Sequence, residues 1–330
     1  MFNQQVFDNV YTDLENFFYK KVSKGFACSP IENFYCENEI KLTKNSKIRK
    51  IFDYEKGEYL ELQQLSVSLP ISDVATLSNM LEIAYCQRRD KTSNEPLYWR
   101  DFEDVITSLR LFKHGSVNFH VLNGKSELWN PSSVNSYDLG KNDYKRLFGP
   151  KYTLTFSEEK NFKAVYRRFS KFQKRNRIKV IEYLTIALRR FNLGIEEFDV
   201  EDKMIDFMIS FEAMFLQNEG ELKFKLSNRV AVLLGKTSGE REIIREIINQ
   251  SYQWRSDIVH GNPKHPLKIQ GNIISEVDLA VKVEDILRKS LLGFICLTEK
   301  NLIRENILRQ LDNSLLNMKV MNDLHKKAGI

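Results

Sequence analysis

Cysteine is scarce in this 330-residue chain: Cys28, Cys36, Cys86 and Cys296 are present, with no CxxC spacing. That pattern offers neither a disulfide framework nor a thiolate metal site, and it fits reduced thiols in a cytosol. His114 and His120, the closest histidine pair of the first half, have no cysteine neighbour at ligand spacing. No metal or cofactor is therefore expected. Glycine and proline number 14 and 7, too few for a low-complexity or disordered chain. No run approaches the roughly 18 apolar residues of a membrane span, so no membrane partner is expected. The first 21 residues carry acids early and lack an apolar core, unlike a signal peptide. These absences leave a globular, cytoplasmic protein as the expectation. Its hydrophobic residues, 42 % of the chain, suffice for real cores, and its length suits two domains.

Net charge is +6, which permits an anionic partner. The charge is uneven: Lys160 to Arg190 holds eleven Lys or Arg and a single acid, Glu182. Along the chain, residues 1–22 read as a helix with Val6, Val10, Leu14, Phe17 and Phe18 on one side. Residues 58–69, EYLELQQLSVSL, alternate at period two and read as a strand ended by Pro70. Residues 71–90 look helical, with Val74, Leu77, Leu81 and Ala84 at helix spacing. Residues 92–96 read as a loop, 101–115 as a helix, and 117–124 and 151–156 as strands, with a turn-rich stretch from 123 to 150. The expected layout is an α+β domain over 1–156 followed by an all-α antiparallel bundle over 157–300. An amphipathic helix or tail over 301–330 carries Leu308, Leu311, Leu315 and Met318. The bundle helices are predicted at about 158–191, 202–217, 221–234, 239–259 and 276–298. Thr237 and Glu240 form a capping box, and Gly261 with Pro263 is a stop.

Several charged residues fall on apolar helix faces. Glu212 lies in line with Ile205, Ile209 and Leu216, so its carboxylate is expected to be buried and in need of a partner. Asp206, Ser210 and Gln217 make a narrow polar strip beside it. Arg229 sits within the stripe of Leu222, Leu226, Val230 and Leu233, and is the partner expected for Glu212. That pair is either a structural tie or a support that orients a site. Arg255 falls on the stripe of Ile244, Ile248 and Val259. His260 follows five residues later, about 140° around a continuous helix. The Gly261 stop is expected to turn the backbone there and let both side chains address one cleft. A poised imidazole beside a fixed guanidinium suits phosphate chemistry.

WRSDIVHG (254–261) resembles the R-x4-6-H motif of HEPN domains, and DKMIDFMISFEAMFL (202–216) and KLSNRVAVLLG (225–235) resemble the matching helices of the Apea-like HEPN family. The resemblance covers roughly residues 157–300. It implies an antiparallel helical bundle that commonly dimerises, so that two motifs face a shared cleft. Active members cut RNA without a metal, often as prokaryotic toxins or antiphage defence effectors. By position, Arg255 and His260 match the catalytic pair, Ser256 the polar position after the arginine, and Glu212 the acid of the earlier helix, with Arg229 in support. The implied activity is endonucleolytic cleavage of single-stranded or loop RNA to 2′,3′-cyclic phosphate and 5′-hydroxyl ends, by a homodimer. Two alternatives remain: a non-catalytic RNA- or nucleotide-binding module, and a dimerisation scaffold.

The basic helix after 157 offers Arg167, Arg168, Lys171, Lys174 and Arg175, with Lys163 and Lys179, as a phosphate track. The rival reading is a solvated helix face. The interleaved Phe162, Tyr166, Phe169 and Phe172 sit at helical spacing and are assigned to the bundle core rather than to stacking on bases.

Overall fold

A computed structural model describes residues 3–19, 22–65, 77–88, 99–119, 121–126, 136–139, 149–217, 220–263 and 265–330. The chain forms two compact units, one of residues 1–106 and 117–163, the other of 107–116 and 164–330. The second unit thus begins a few residues after the expected boundary, takes in the segment 107–116, and includes the C-terminal tail.

The first unit is built on an antiparallel sheet. Its described strands are β1 (Val22–Ile31), β3 (Ile40–Lys41), β4 (Ser46–Lys50), β5 (Asn79–Arg88), β6 (Val121–Ser126) and β7 (Ser136–Leu139), in the order β3-β4-β5-β1-β6-β7. A separate parallel pair joins β2 (Phe34–Cys36) to β8 (Tyr152–Leu154). Ala27, Ile31, Ile48 and Leu81 are fully buried. The region expected as a helix over 71–90 is instead β5 from Asn79, paired on both edges; residues 71–76 lie outside the described residues. Met80 and Leu81, on opposite faces of this central strand, are both buried, so apolar residues on the two faces let Leu77, Leu81 and Ala84 fall at helical spacing without forming a helix.

The stretch expected as a strand from 58 is the end of helix α2 (Asp53–Leu65); residues 66–69 lie outside the described residues. Acids at Asp53 and Glu55 favour a helix start, and Glu55 accepts from the Phe52 N–H at 3.0 Å. Glu55 also holds the buried Arg49 at 2.7 Å, and Arg49 reaches Glu82 at 2.8 Å. A period-two alternation could not register these long-range ion pairs. Helix α1 (Gln4–Tyr19) forms as expected, but Val6, Val10 and Phe18 on its apolar side are exposed. The helix expected at 101–115 is α3 (Trp99–Phe112). The loop expected at 92–96 lies outside the described residues.

The second unit is helical: α4 (Phe156–Ile178, entering this unit at 164), α5 (Glu182–Glu196), α6 (Val200–Phe215), α7 (Leu222–Leu234), α8 (Ser238–His260), α9 (Glu276–Glu299), α10 (Arg304–Ser314) and α11 (Met318–Ala328). Short connections make α5 with α6 and α7 with α8 packed neighbours. Phe191, Phe207, Phe211, Phe215, Leu233, Ile248, Leu287 and Phe294 lie in one core, joined by Leu308, Leu311 and Leu324 of the tail. Leu315 and Met318 stay exposed beside the α10–α11 turn.

The single helix expected at 158–191 breaks after Ile178. The β-branched Ile178, Val180 and Ile181 weaken helix there. Asn176 accepts from the Ile181 N–H at 2.6 Å and donates to Thr185 Oγ1 at 3.0 Å, closing the corner. Phe162, Tyr166, Phe169 and Phe172 are all buried, but of these only Phe169 and Phe172 join the core of the helical unit, and Phe162 falls in the first unit. Among the described residues, no helix is long and apolar enough to cross a membrane.

Gly194 is where α5 meets α6. A Cβ there would lie 2.6 Å from the buried Phe207 ring and 3.2 Å from the Lys203 carbonyl. Overpacking costs about 1–3 kcal/mol, more than the roughly 0.5–1 kcal/mol of helix preference that alanine returns. Gly194→Ala should therefore lower the melting temperature, and a rise would show that α6 yields freely.

Candidate functional site

The site is assembled at the C-terminal ends of α6 and α8. Asp199 opens α6 by accepting from the Glu201 and Asp202 N–H groups. The last turn of α6 is held by guanidinium groups on its carbonyls. Arg229 donates to the Phe215 carbonyl at 2.6 Å, and Arg304 to those of Met214 (3.4 Å) and Leu216. Cations suit a helix C-terminus, and here they fix the turn that carries Glu212. On the strip beside it, Asp206 pairs with Arg190 at 2.8 Å and Ser210 donates to the Ala187 carbonyl at 2.8 Å, so both tie α6 to α5. Gln217 is exposed.

The expected pairing of Glu212 with Arg229 is corrected. Arg229 is clamped in bidentate fashion by Asp312 of α10, Nε to Oδ1 at 2.7 Å and Nη2 to Oδ2 at 2.8 Å. The cation opposite Glu212 is Arg255, with Nη2 3.9 Å from Oε2. Both side chains are about one-quarter exposed. At that separation they attract without a direct hydrogen bond. The Arg255 Nε is buried and has no hydrogen-bond partner among the described residues. Arg255 is therefore held in place with donors to spare, whereas Arg229 is saturated.

Burial pushes the Glu212 carboxyl above its ordinary range, and Arg255 only partly opposes this. Tyr252, one turn before Arg255, has its phenol raised by burial first and by Glu212 second. Glu212, Tyr252 and Arg255 thus form one electrostatic group. Because the folded pKa of Glu212 is raised, its protonated form stabilises the fold. That stability is complete below the ordinary value of 4.5 and is lost as pH rises through the folded value. Glu212→Gln should therefore gain thermal stability over the wild type as pH rises from 4.5 to neutral. Melting curves with a pH-independent difference would rule this out.

Helix α8 begins with the expected capping box: Thr237 accepts from the Glu240 N–H, and Glu240 accepts from the Thr237 N–H. It ends at Gly261, at φ 64°, where the Asn262 N–H reaches the Asp257 carbonyl at 2.9 Å. The backbone stays helical through His260, one residue longer than the expected turn requires. Arg255 and His260 therefore diverge by about 140° within one chain, and the expectation of a shared cleft in a single subunit is corrected. His260 is exposed, Ser256 half-buried, and the Val259 side chain about half exposed.

Asp257 was missed in the sequence. It is 5 % exposed and accepts from Gln253 Nε2 (3.0 Å) and Asn262 Nδ2 (3.4 Å), with His265 Nδ1 at 3.2 Å. The Gln253 amide first, then His265 and Asn262, hold its carboxyl below the usual range. It fastens the loop after Gly261 and so steadies the end of α8. The available signal was an acid two residues after the arginine in WRSDIVHG, flanked by residues with side-chain donors.

The basic residues of α4 lie elsewhere in the helical unit. Arg168 and Lys171 approach Glu299 at 3.9 and 3.7 Å, and Arg175 donates to Asn301 at 3.3 Å, both at the end of α9. Arg167 and Lys174 are exposed. Among the described residues no group of three or more His, Cys, Asp or Glu side chains is placed to hold a metal. Comparison with family models, with curated proteins and with solved structures gave no match.

Proposed function

We propose that this chain is a metal-independent endoribonuclease of HEPN type, acting as a homodimer on single-stranded RNA. The observation that carries the reading is the Arg255 guanidinium, anchored opposite Glu212 with unfilled donors and followed on the same helix by the exposed His260. A planar, multi-donor cation suits the equatorial oxygens of a phosphate in transfer. Because Arg255 and His260 diverge in one subunit, the reading requires two copies whose α8 ends meet. One His260 takes the proton of the ribose 2′-hydroxyl as the 2′-oxygen attacks phosphorus. The other His260 gives a proton to the departing 5′-oxygen as the P–O5′ bond breaks. The products are a 2′,3′-cyclic phosphate and a 5′-hydroxyl, and no water is consumed. A role in toxin or antiphage defence is part of the proposal through the family resemblance only.

The test is cleavage of a labelled RNA in EDTA beside its DNA counterpart. RNA cut to cyclic-phosphate ends, with DNA intact, is expected. A need for divalent metal, or equal cutting of DNA, would sink the mechanism. The divergence of Arg255 and His260 favours a second reading, a non-catalytic RNA-binding module. RNA bound and never cut would select it.

A further inference from the structure

A groove runs between α7 and α8 on the face of α8 that carries His260. It is shallow and open, of about 690 Å³, and is lined by Glu221 at the start of α7, by Lys223, Phe224 and Asn228 of α7 and by Arg245 and Asn249 of α8. Arg245, Asn249, Gln253, Ser256 and His260 recur at helix spacing and fall within about 80° of one another around α8. The polar stripe therefore leads about 22 Å from Arg245 to His260. Phe224 is 59 % exposed, an aromatic ring standing open beside cations and amides. Lys223 donates to Gln253 Oε1 at 3.2 Å, and Gln253 donates to Asp257 at 3.0 Å, so the groove is linked by hydrogen bonds to the residue that steadies the α8 end.

We propose that this groove is the substrate track of the site: a single RNA strand lies in it, one base stacks on Phe224, and Arg245 holds a backbone phosphate. This rests on the ribonuclease reading for its choice of RNA. The chemistry of the lining supports it. A base offers a π-face to an exposed ring whatever its sequence, and cations meet the backbone charge. The amides of Asn228 and Asn249 suit base edges, which only an unpaired strand presents. Asn228 donates to the Phe224 carbonyl at 2.8 Å, which leaves its side-chain oxygen to accept.

The experiment measures anisotropy of a short fluorescein-labelled oligoribonucleotide with full-length His260→Ala, chosen so that cleavage does not remove the probe. The same chain is then tested with Phe224→Ala or Arg245→Ala added. Both positions are exposed, so folding should survive; melting curves check this. Phe224→Ala should weaken binding about tenfold or more, and an abasic oligomer should not sense the change. Arg245→Ala should reduce the slope of log affinity against log salt by about 0.7. Unchanged affinity in both variants would overturn the track. Failure of any oligonucleotide to bind would also overturn it and leave a protein segment as the groove's occupant. Cleavage kinetics separate this proposal from the ribonuclease reading. Wild-type cleavage whose KM ignores Phe224→Ala and Arg245→Ala sinks the track and spares the nuclease. Binding that depends on Phe224, with no cleavage by the wild type, does the reverse.

Discussion

Replacing Arg255 or His260 by alanine should each lower the rate of RNA cleavage in EDTA by about 10²–10⁴-fold. The expected pH profiles differ between the two. In the proposed mechanism His260 is the residue that moves protons, so its loss should flatten the pH dependence of kcat. Arg255 moves no proton in that mechanism, so its loss should lower the whole profile and keep its shape. If two copies share one cleft and each His260 performs one proton transfer, a mixed Arg255→Ala/His260→Ala dimer keeps only one of the two imidazoles and should stay well below wild-type activity; full recovery on mixing would exclude that division of roles. Full activity in either single variant would exclude that residue from the chemistry. Equal cleavage by both single variants and the wild type would exclude the site.

The second large effect concerns stability. Arg229→Ala should destabilise the helical unit by about 2–4 kcal/mol, which for a domain of this size means roughly 5–15 °C in melting temperature. The side chain is 4 % exposed, and it ties α7 to Asp312 of α10 and to the last turn of α6. Its removal leaves a cavity and a buried carbonyl deprived of its donor. Asp312 is about half exposed and returns to water, so the loss stays below that of a stranded buried charge. Arg255→Met combined with Glu212→Gln should change stability by less than about 1 kcal/mol. That pair makes no direct hydrogen bond and includes an unsatisfied Nε. Two arginines on inward faces would thus separate into a structural one and a functional one. A large destabilisation from the Arg255 and Glu212 changes would overturn that separation.

The helical unit was legible where local chemistry determines structure. Apolar spacing of 3.6 placed α6, α7, α8 and α9 to within two residues. Thr237 with Glu240 marked the start of α8, and Gly261 its end, because caps and stops are satisfied within one turn of the chain. Glu212, Arg229 and Arg255 were each recognisable as charges on apolar faces, since that depends only on the period of their own helix.

Which of them meet was a tertiary matter. Arg229 finds Asp312, 83 residues away, in a segment read as an amphipathic helix or tail outside the bundle. Nothing in the spacing of α7 specifies which helix packs against it. The direction of His260 depended on a single residue of helix length, below the resolution of pattern reading. In the first unit, β5 and α2 exchanged their expected identities because central strand pairing and the buried Arg49–Glu55–Glu82 contacts outweigh local periodicity. In the helical unit the sequence by itself determined which charged side chains, Glu212, Arg229 and Arg255, fall on apolar helix faces, because periodicity acts along one element. Only the tertiary structure decided their partners and the groove between α7 and α8, because those depend on how separate elements pack.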